Sequence, residues 1–262
     1  MIHAYTVEVK AIKKYSFLLA ICTIAIAAAL SIQASASSVI RWGLRYDKSG
    51  ETPIGNATSE YLKTFNSYYH GTTGEKILYL TFDAGFENGH TSKILDTLKE
   101  NNVPGAFFLV GSYLNKNTEL IRRMVDEGHI IGNHSMSHGD MTKKSAEGFI
   151  SELTKFEEIY ESVLGTKAPK YYRPPEGVFD EANLVTANKQ GYKTVLWSVA
   201  YVDWDTKKQP SREYAFDKLL PRLHPGAILM LHSTSATNAD ILHDLIVECH
   251  KMGYTFRSLD DL

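Results

Sequence analysis

The sequence predicts an α/β fold in which about seven parallel strands alternate with helices. Three observations predict it: apolar runs of strand length, amphipathic segments between them, and a glycine that closes three of those segments just before the next strand. Runs such as Ile77-Leu78-Tyr79-Leu80 and Ala227-Ile228-Leu229-Met230-Leu231 are apolar at successive positions, as a parallel strand covered on both faces requires. The expected strands fall near 76–82, 105–110, 129–133, 170–173, 193–199, 227–231 and 254–256. Gly128, Gly191 and Gly253 each stand where a helix C-terminus needs positive φ. Asn117 and a Thr237-x-x-Asp240 box mark two helix starts. Residues 152–161 read as a helix with Leu153, Phe156 and Ile159 inward and a solvated charged face. Seven such strands suit either a closed barrel or a doubly wound sheet, and no fixed-period repeat points to a solenoid.

Composition narrows the function. The 262 residues are 44% hydrophobic and 22% charged with a formal net charge of -2, which excludes a disordered, collagenous or multi-span membrane chain. No window is a dense Lys/Arg tract, so no nucleic-acid partner is expected. Lys10, Lys13 and Lys14 precede an apolar stretch over 17–30 that ends in Ala34-Ser35-Ala36, the pattern of a secretory signal peptide over 1–36. The alternative is an uncleaved membrane anchor. Residues 37–74 carry Arg41-Trp42-Gly43, Pro53 and Tyr68-Tyr69-His70 without a period and are read as an irregular N-terminal arm, leaving 75–262 as the main domain. Cys22 lies in the leader, so Cys249 stands alone afterwards, at the spacing of a buried helix face.

Polar residues gather at the C-terminal ends of the expected strands: Asp83 after Leu80-Thr81-Phe82, His134 after Ile130-Ile131, Arg173 after Tyr171-Tyr172, and His232 after Met230-Leu231. In parallel barrels that edge carries the chemistry. His134 and His138 form H-x-x-x-H, a spacing that on a helical turn directs two imidazoles to one side, where they suit a divalent transition metal. Asp83 alone would read as a turn residue and Arg173 as a surface cation, although the following Pro174-Pro175 stiffens a bend from which a guanidinium could hold a carboxylate. Asp203-Trp204 offers a carboxylate to orient a histidine and an indole to wall a pocket. His90, His129, His224, His243 and His250 are read as structural or exposed.

Taken in order, Thr81-Phe82-Asp83-Ala84-Gly85, His134-x-x-x-His138, Arg173-Pro174-Pro175, Asp203-Trp204 and Leu229-Met230-Leu231-His232 resemble the motifs of the polysaccharide deacetylases, carbohydrate esterase family four with its NodB-type domain. Phe86-Glu87-Asn88-Gly89, the run from Asp126 to His134 and the Arg41-Trp42-Gly43 arm make the chain most similar to the muramic δ-lactam de-N-acetylases of spore-cortex peptidoglycan. The resemblance implies a distorted (β/α) barrel of about seven strands. It further implies a divalent metal, zinc in the first place, on His134 and His138, Asp83 as general base steadied by Arg173, His232 as general acid tuned by Asp203, and a sugar site walled by Trp204, Pro174 and Tyr172. Ala84 stands where the family usually has an Asp ligand, which implies weakly bound metal. The implied partner is the glycan strand of peptidoglycan, met outside the cytoplasmic membrane by a monomer. N-acetylglucosamine is the alternative substrate sugar, and a glycan-binding protein without catalysis is the alternative that Ala84 raises.

Overall fold

The structure is a computed structural model that describes residues 38–262, so the leader expected over 1–36 lies outside the described residues. The chain begins with β1 (Ile40–Arg41), β2 (Leu44–Arg45), β3 (Ile54–Gly55), α1 (Ser59–Lys63) and β4 (Ser67–Tyr68). Then come β5 (Ile77–Ala84), α2 (Thr91–Glu100), β6 (Gly105–Leu109), α3 (Gly111–Lys116), α4 (Thr118–Asp126), β7 (Ile130–Asn133), α5 (Ala146–Leu164), β8 (Tyr171–Tyr172), β9 (Val178–Phe179) and α6 (Glu181–Lys189). The last elements are β10 (Lys193–Val195), α7 (Arg212–Leu219), β11 (Ala227–His232), α8 (Ala236–Lys251) and β12 (Thr255–Phe256).

One sheet organises these elements, in the order β11-β5-β6-β7-β8-β10-β4, with β12 also on β5 and every pair parallel. Each of the seven expected strands is present. Gly128, Gly191 and Gly253 all have positive φ at the helix ends, as their positions required. All eight residues of β5 are buried, because both faces of the strand are covered. Its period of two sorts them: Leu78, Leu80, Phe82 and Ala84 join the layer under the helices with Phe107, Leu109 and Ile131, whereas Ile77 and Tyr79 join Ala106, Phe108, Val195 and Ile228 inside the curl. Asp83 continues the inward set.

The expected strand over 193–199 stops at Val195, and its continuation crosses to β11, where Val199 bridges Leu229. The sheet thereby returns on itself as a distorted barrel. Between the two ladders, backbone carbonyls lose strand partners and take side-chain donors instead. Arg173 Nε donates to Val195 O (2.9 Å), Arg173 Nη2 to Leu196 O (3.3 Å), Trp42 Nε1 to Trp197 O (3.0 Å) and Tyr46 OH to Ser198 O (2.9 Å). The segment expected to be an irregular arm therefore holds short elements: it supplies two of these donors, and its β4 pairs with β10 as an edge of the main sheet. No period showed in the sequence because its strands are two residues long. The last long helix also starts earlier than its box predicted, capped by Ser235 Oγ on Asn238 N (3.2 Å).

Candidate active site

Parallel register brings the predicted residues to one edge. Asp83 ends the inward row of β5 directly beside His232 at the end of β11, while His134 and Arg173 leave the ends of β7 and β8, whose last residues Asn133 and Tyr172 are paired. Asp83, His134 and His232 open on a cavity of about 740 Å³ that His138, Trp197 and Trp204 also help to line, and Arg173 is buried behind it.

Asp83 and Arg173 form a buried ion pair. Arg173 Nη1 donates to Asp83 Oδ1 at 2.6 Å, the guanidinium is fully buried, and the Phe108 ring lies 4.0 Å beneath it. Gly132 makes room for that ring, since a Cβ there would stand 2.5 Å from Phe108 Cδ1. Burial would raise the carboxyl of Asp83, yet the charges of Arg173, His134 and His232 outweigh it and hold the group below its ordinary value. An ionised carboxylate is thus kept at the cavity.

His134 is also buried, and burial lowers its imidazole to about 4, so the ring is neutral near pH 7. Its Nδ1 lies 2.8 Å from Arg173 O, which only an N–H can approach productively, and this leaves Nε2 as a lone pair. Nε2 faces Asp83 Oδ2 at 3.7 Å: two acceptors point at one another with no donor of their own. The ring of His138 stands 4.9 Å from that of His134. The two histidines do not share a helical turn, as the spacing had suggested. They sit on a loop whose Ser135 and His138 have φ of 67° and 56°, and the loop closes through His138 N donating to Ser135 Oγ at 2.8 Å. Among the described residues no three His, Cys, Asp or Glu form a ready-made metal cluster. The two imidazoles nevertheless fit a divalent cation as a partial set, because His134 presents its Nε2 lone pair from a backbone-anchored neutral ring with the His138 ring beside it.

Asp203 is fully buried and fully engaged: it accepts from His232 Nδ1 at 2.7 Å, His232 N at 2.8 Å and Asn238 Nδ2 at 2.6 Å. Asn238 Oδ1 in turn accepts from Tyr201 OH at 2.5 Å. Burial works against a charged His232, but the hydrogen bond and charge of Asp203 prevail and hold the imidazole above its ordinary value. Nδ1 is committed to Asp203, which leaves Nε2 as the nitrogen able to exchange a proton with a ligand.

Residues 70–195 match the Polysaccharide deacetylase family. Across 248 residues the chain is 43% identical to the peptidoglycan-N-acetylmuramic acid deacetylase PdaA of Bacillus subtilis, covering 92% of this chain and 94% of that protein. The chain belongs to the polysaccharide deacetylases. The solved structure of Bacillus subtilis PdaA, a family 4 carbohydrate esterase, superposes with a TM-score of 0.82 at 44% identity over 86% of this chain and 97% of that one. A peptidoglycan-N-acetylglucosamine deacetylase of Bacillus cereus is 32% identical over 82% of this chain and 77% of its own length. The chain is accordingly an amide hydrolase of this family.

Two predicted sugar contacts are corrected by burial. Tyr172 is 1% exposed and packs among Met141, Phe149 and Tyr192 behind the strand, and Pro174 is buried outside the cavity lining. The strand period turns Tyr172 away from the face that Arg173 occupies. Trp204 is on the cavity wall and 61% exposed, and Phe86 of the 85–90 loop lines the same cavity. Reading the sequence missed Asn238, the third donor to Asp203, and also missed Trp197, Met230 and Glu176 in the wall. Only Glu176 carried a signal in kind: an acid after Pro174-Pro175, held at φ 54° with its carboxylate exposed.

Proposed function

We propose that this chain removes the acetyl group from N-acetylmuramic acid residues of peptidoglycan glycan strands. The observation that carries the reading is the pairing of a carboxylate kept ionised by Arg173 with a neighbouring histidine kept basic by Asp203, on one cavity floor. Amide hydrolysis needs a base for the water and an acid for the departing nitrogen, and these two groups answer both needs. Asp83 Oδ2 takes a proton from the attacking water, the carbonyl carbon gains the hydroxyl oxygen, and the C–N bond breaks as His232 Nε2 delivers its proton to the amine. Arg173 fixes the base without competing for Oδ2, and Asp203 fixes the acid's tautomer.

His134 and His138 would hold a divalent cation, with zinc suited to their imidazoles, and such an ion supplies Lewis-acid polarisation of the acyl carbonyl when bound. Ala84 offers no oxygen ligand, so binding is expected to be weaker than with a carboxylate there. Trp204 supplies a flat face for a sugar ring. The muramic substrate follows the similarity to PdaA, and a wall-facing site outside the membrane follows from that substrate; the protein acts as a monomer with no nucleic-acid partner.

The test is acetate released from peptidoglycan glycan strands by the full chain, before and after chelation and after zinc is added back. Release that falls on chelation and returns with zinc is expected, with chitin oligomers turned over poorly. Equal or better turnover of chitin oligomers would move the substrate to N-acetylglucosamine. Strand binding with no release from any glycan would overturn the enzyme reading for this chain.

A further inference from the structure

The loop that carries His134 and His138 is held in an unfavourable shape by a chain of hydrogen bonds that begins on its far side. Ser135 and His138 both occupy left-handed backbone that residues with side chains avoid, so the loop relaxes unless its surroundings fix it. Asn133, fully buried at the end of β7, fixes the first of them: its Oδ1 accepts from Ser135 N at 2.9 Å. Its Nδ2 donates to Leu153 O at 3.2 Å and to Tyr192 OH at 3.0 Å. Tyr192 OH, having accepted from Asn133, spends its own proton on Glu157 Oε1 at 2.5 Å. Lys170 Nζ holds the same oxygen at 2.6 Å and lies 4.7 Å over the Tyr192 ring.

Polarity runs one way along this chain. A carboxylate only accepts, so Glu157 forces the phenol to donate; the phenol then has only a lone pair for Asn133 and, with the Leu153 carbonyl, turns Nδ2 toward them and Oδ1 toward Ser135. With the amide reversed, an NH₂ group would face the Ser135 N–H and the loop would lose its tether. We propose that Glu157 and Tyr192 are positioning residues which, through Asn133, set the geometry of the two metal-binding imidazoles. The inference rests on the reading of His134 and His138 as metal ligands. It also gives the charged stretch over 152–161 a role beyond a solvated face: Glu157 starts the chain, the Leu153 carbonyl takes the amide, and Glu152 accepts from Ser137 N at 2.9 Å within the loop itself.

Zinc affinity of the purified full chain, measured by competition with a chelating dye, tests this directly. Tyr192→Phe keeps the ring, leaves Glu157 its lysine and leaves Asn133 its bond to Leu153, so the fold is retained while one of the two bonds that orient the amide is lost. About a tenfold weaker zinc affinity is expected. Tyr171→Phe is the matched control: its hydroxyl donates to Leu259 O and Asp260 at the far end of the strands, and its loss should leave zinc affinity within about twofold of wild type. If Tyr192→Phe does not fold, Glu157→Ala at the partly exposed start of the chain should weaken zinc in the same direction. Unchanged zinc affinity in a folded Tyr192→Phe, with His134→Ala abolishing binding, overturns the positioning role and leaves the metal reading standing. A wild-type chain that binds no zinc overturns both.

Discussion

At the scale of single residues, the chemistry depends on how His232 is charged. Its protonated form is the acid, so activity falls as pH rises through its pKa, and the Asp203 contact that raises this pKa extends activity toward alkaline pH. Asp203→Asn removes the negative charge but keeps the shape. We expect the alkaline limb of the kcat/KM profile to move to lower pH, with a loss of about a hundredfold or more in kcat; a limb that stays in place would assign it to another group. Trp204 makes the opposite kind of contribution. It is exposed, so Trp204→Ala should leave stability unchanged and raise KM by about tenfold at near-constant kcat, the signature of binding shared by ground and transition states. A drop in kcat alone would place the indole at the reacting bond instead of the sugar face.

At the scale of elements, the break after β10 is where stability and catalysis meet. Arg173 serves Asp83 and two strand carbonyls together, so Arg173→Met strands a buried carboxylate and two carbonyls at once. A loss of about 3–5 kcal/mol in urea unfolding is expected, because an unpaired buried charge costs more than the pair contributed. Tyr46→Phe frees only the Ser198 carbonyl and should cost about 1 kcal/mol; losses of equal size in the two variants would show that Arg173 acts through the carbonyls and not through Asp83. This break also marks the limit of what was legible. Strand positions, glycine-closed helices and the edge that gathers Asp83, His134, Arg173 and His232 follow from local pattern. The crossing of 196–199 to β11 depends on partners more than twenty residues away, Arg173 and Trp42 among them, which no local period encodes. The H-x-x-x-H spacing fits a helix or a left-handed loop equally well, and the decision lies with the Asn133 amide and the Ser135 hydroxyl. Tyr172 ends a strand only two residues long and Arg173 follows it, turned to the other side, a run too short for alternation to show in the sequence.

At the scale of the whole molecule, the histidines make the fold sensitive to acid. Burial lowers His70, His129, His134 and His224, the last two to about 4, while His232 is raised. The hydrogen bonds show why the first group stays neutral. His129 Nδ1 accepts from Gly105 N at 3.1 Å, and His224, with Nδ1 at 3.0 Å from Pro225 O, offers the Nε2 lone pair to Ser198 Oγ at 2.9 Å. A proton on the His129 lone pair would set donor against donor, and one on His224 Nε2 would force the Ser198 hydroxyl to turn and accept. Lowered folded pKa values mean that the unfolded chain binds more protons between about pH 4 and 6.5, so stability is complete above that window and is lost as pH falls through it. His232 has the opposite sign: its contribution is fully present below about pH 6.5 and is lost as pH rises through its folded pKa, so its window lies above that of the other four. Each net proton tilts stability by about 1.4 kcal/mol per pH unit. In chelator, so that no metal competes for His134, the urea midpoint of the full chain should therefore fall steadily from pH 7 to pH 5. His224→Gln should flatten that fall, since it removes one of the two most strongly lowered groups without touching the cavity, and a midpoint independent of pH would mean that these imidazoles accept protons without unfolding the barrel around them.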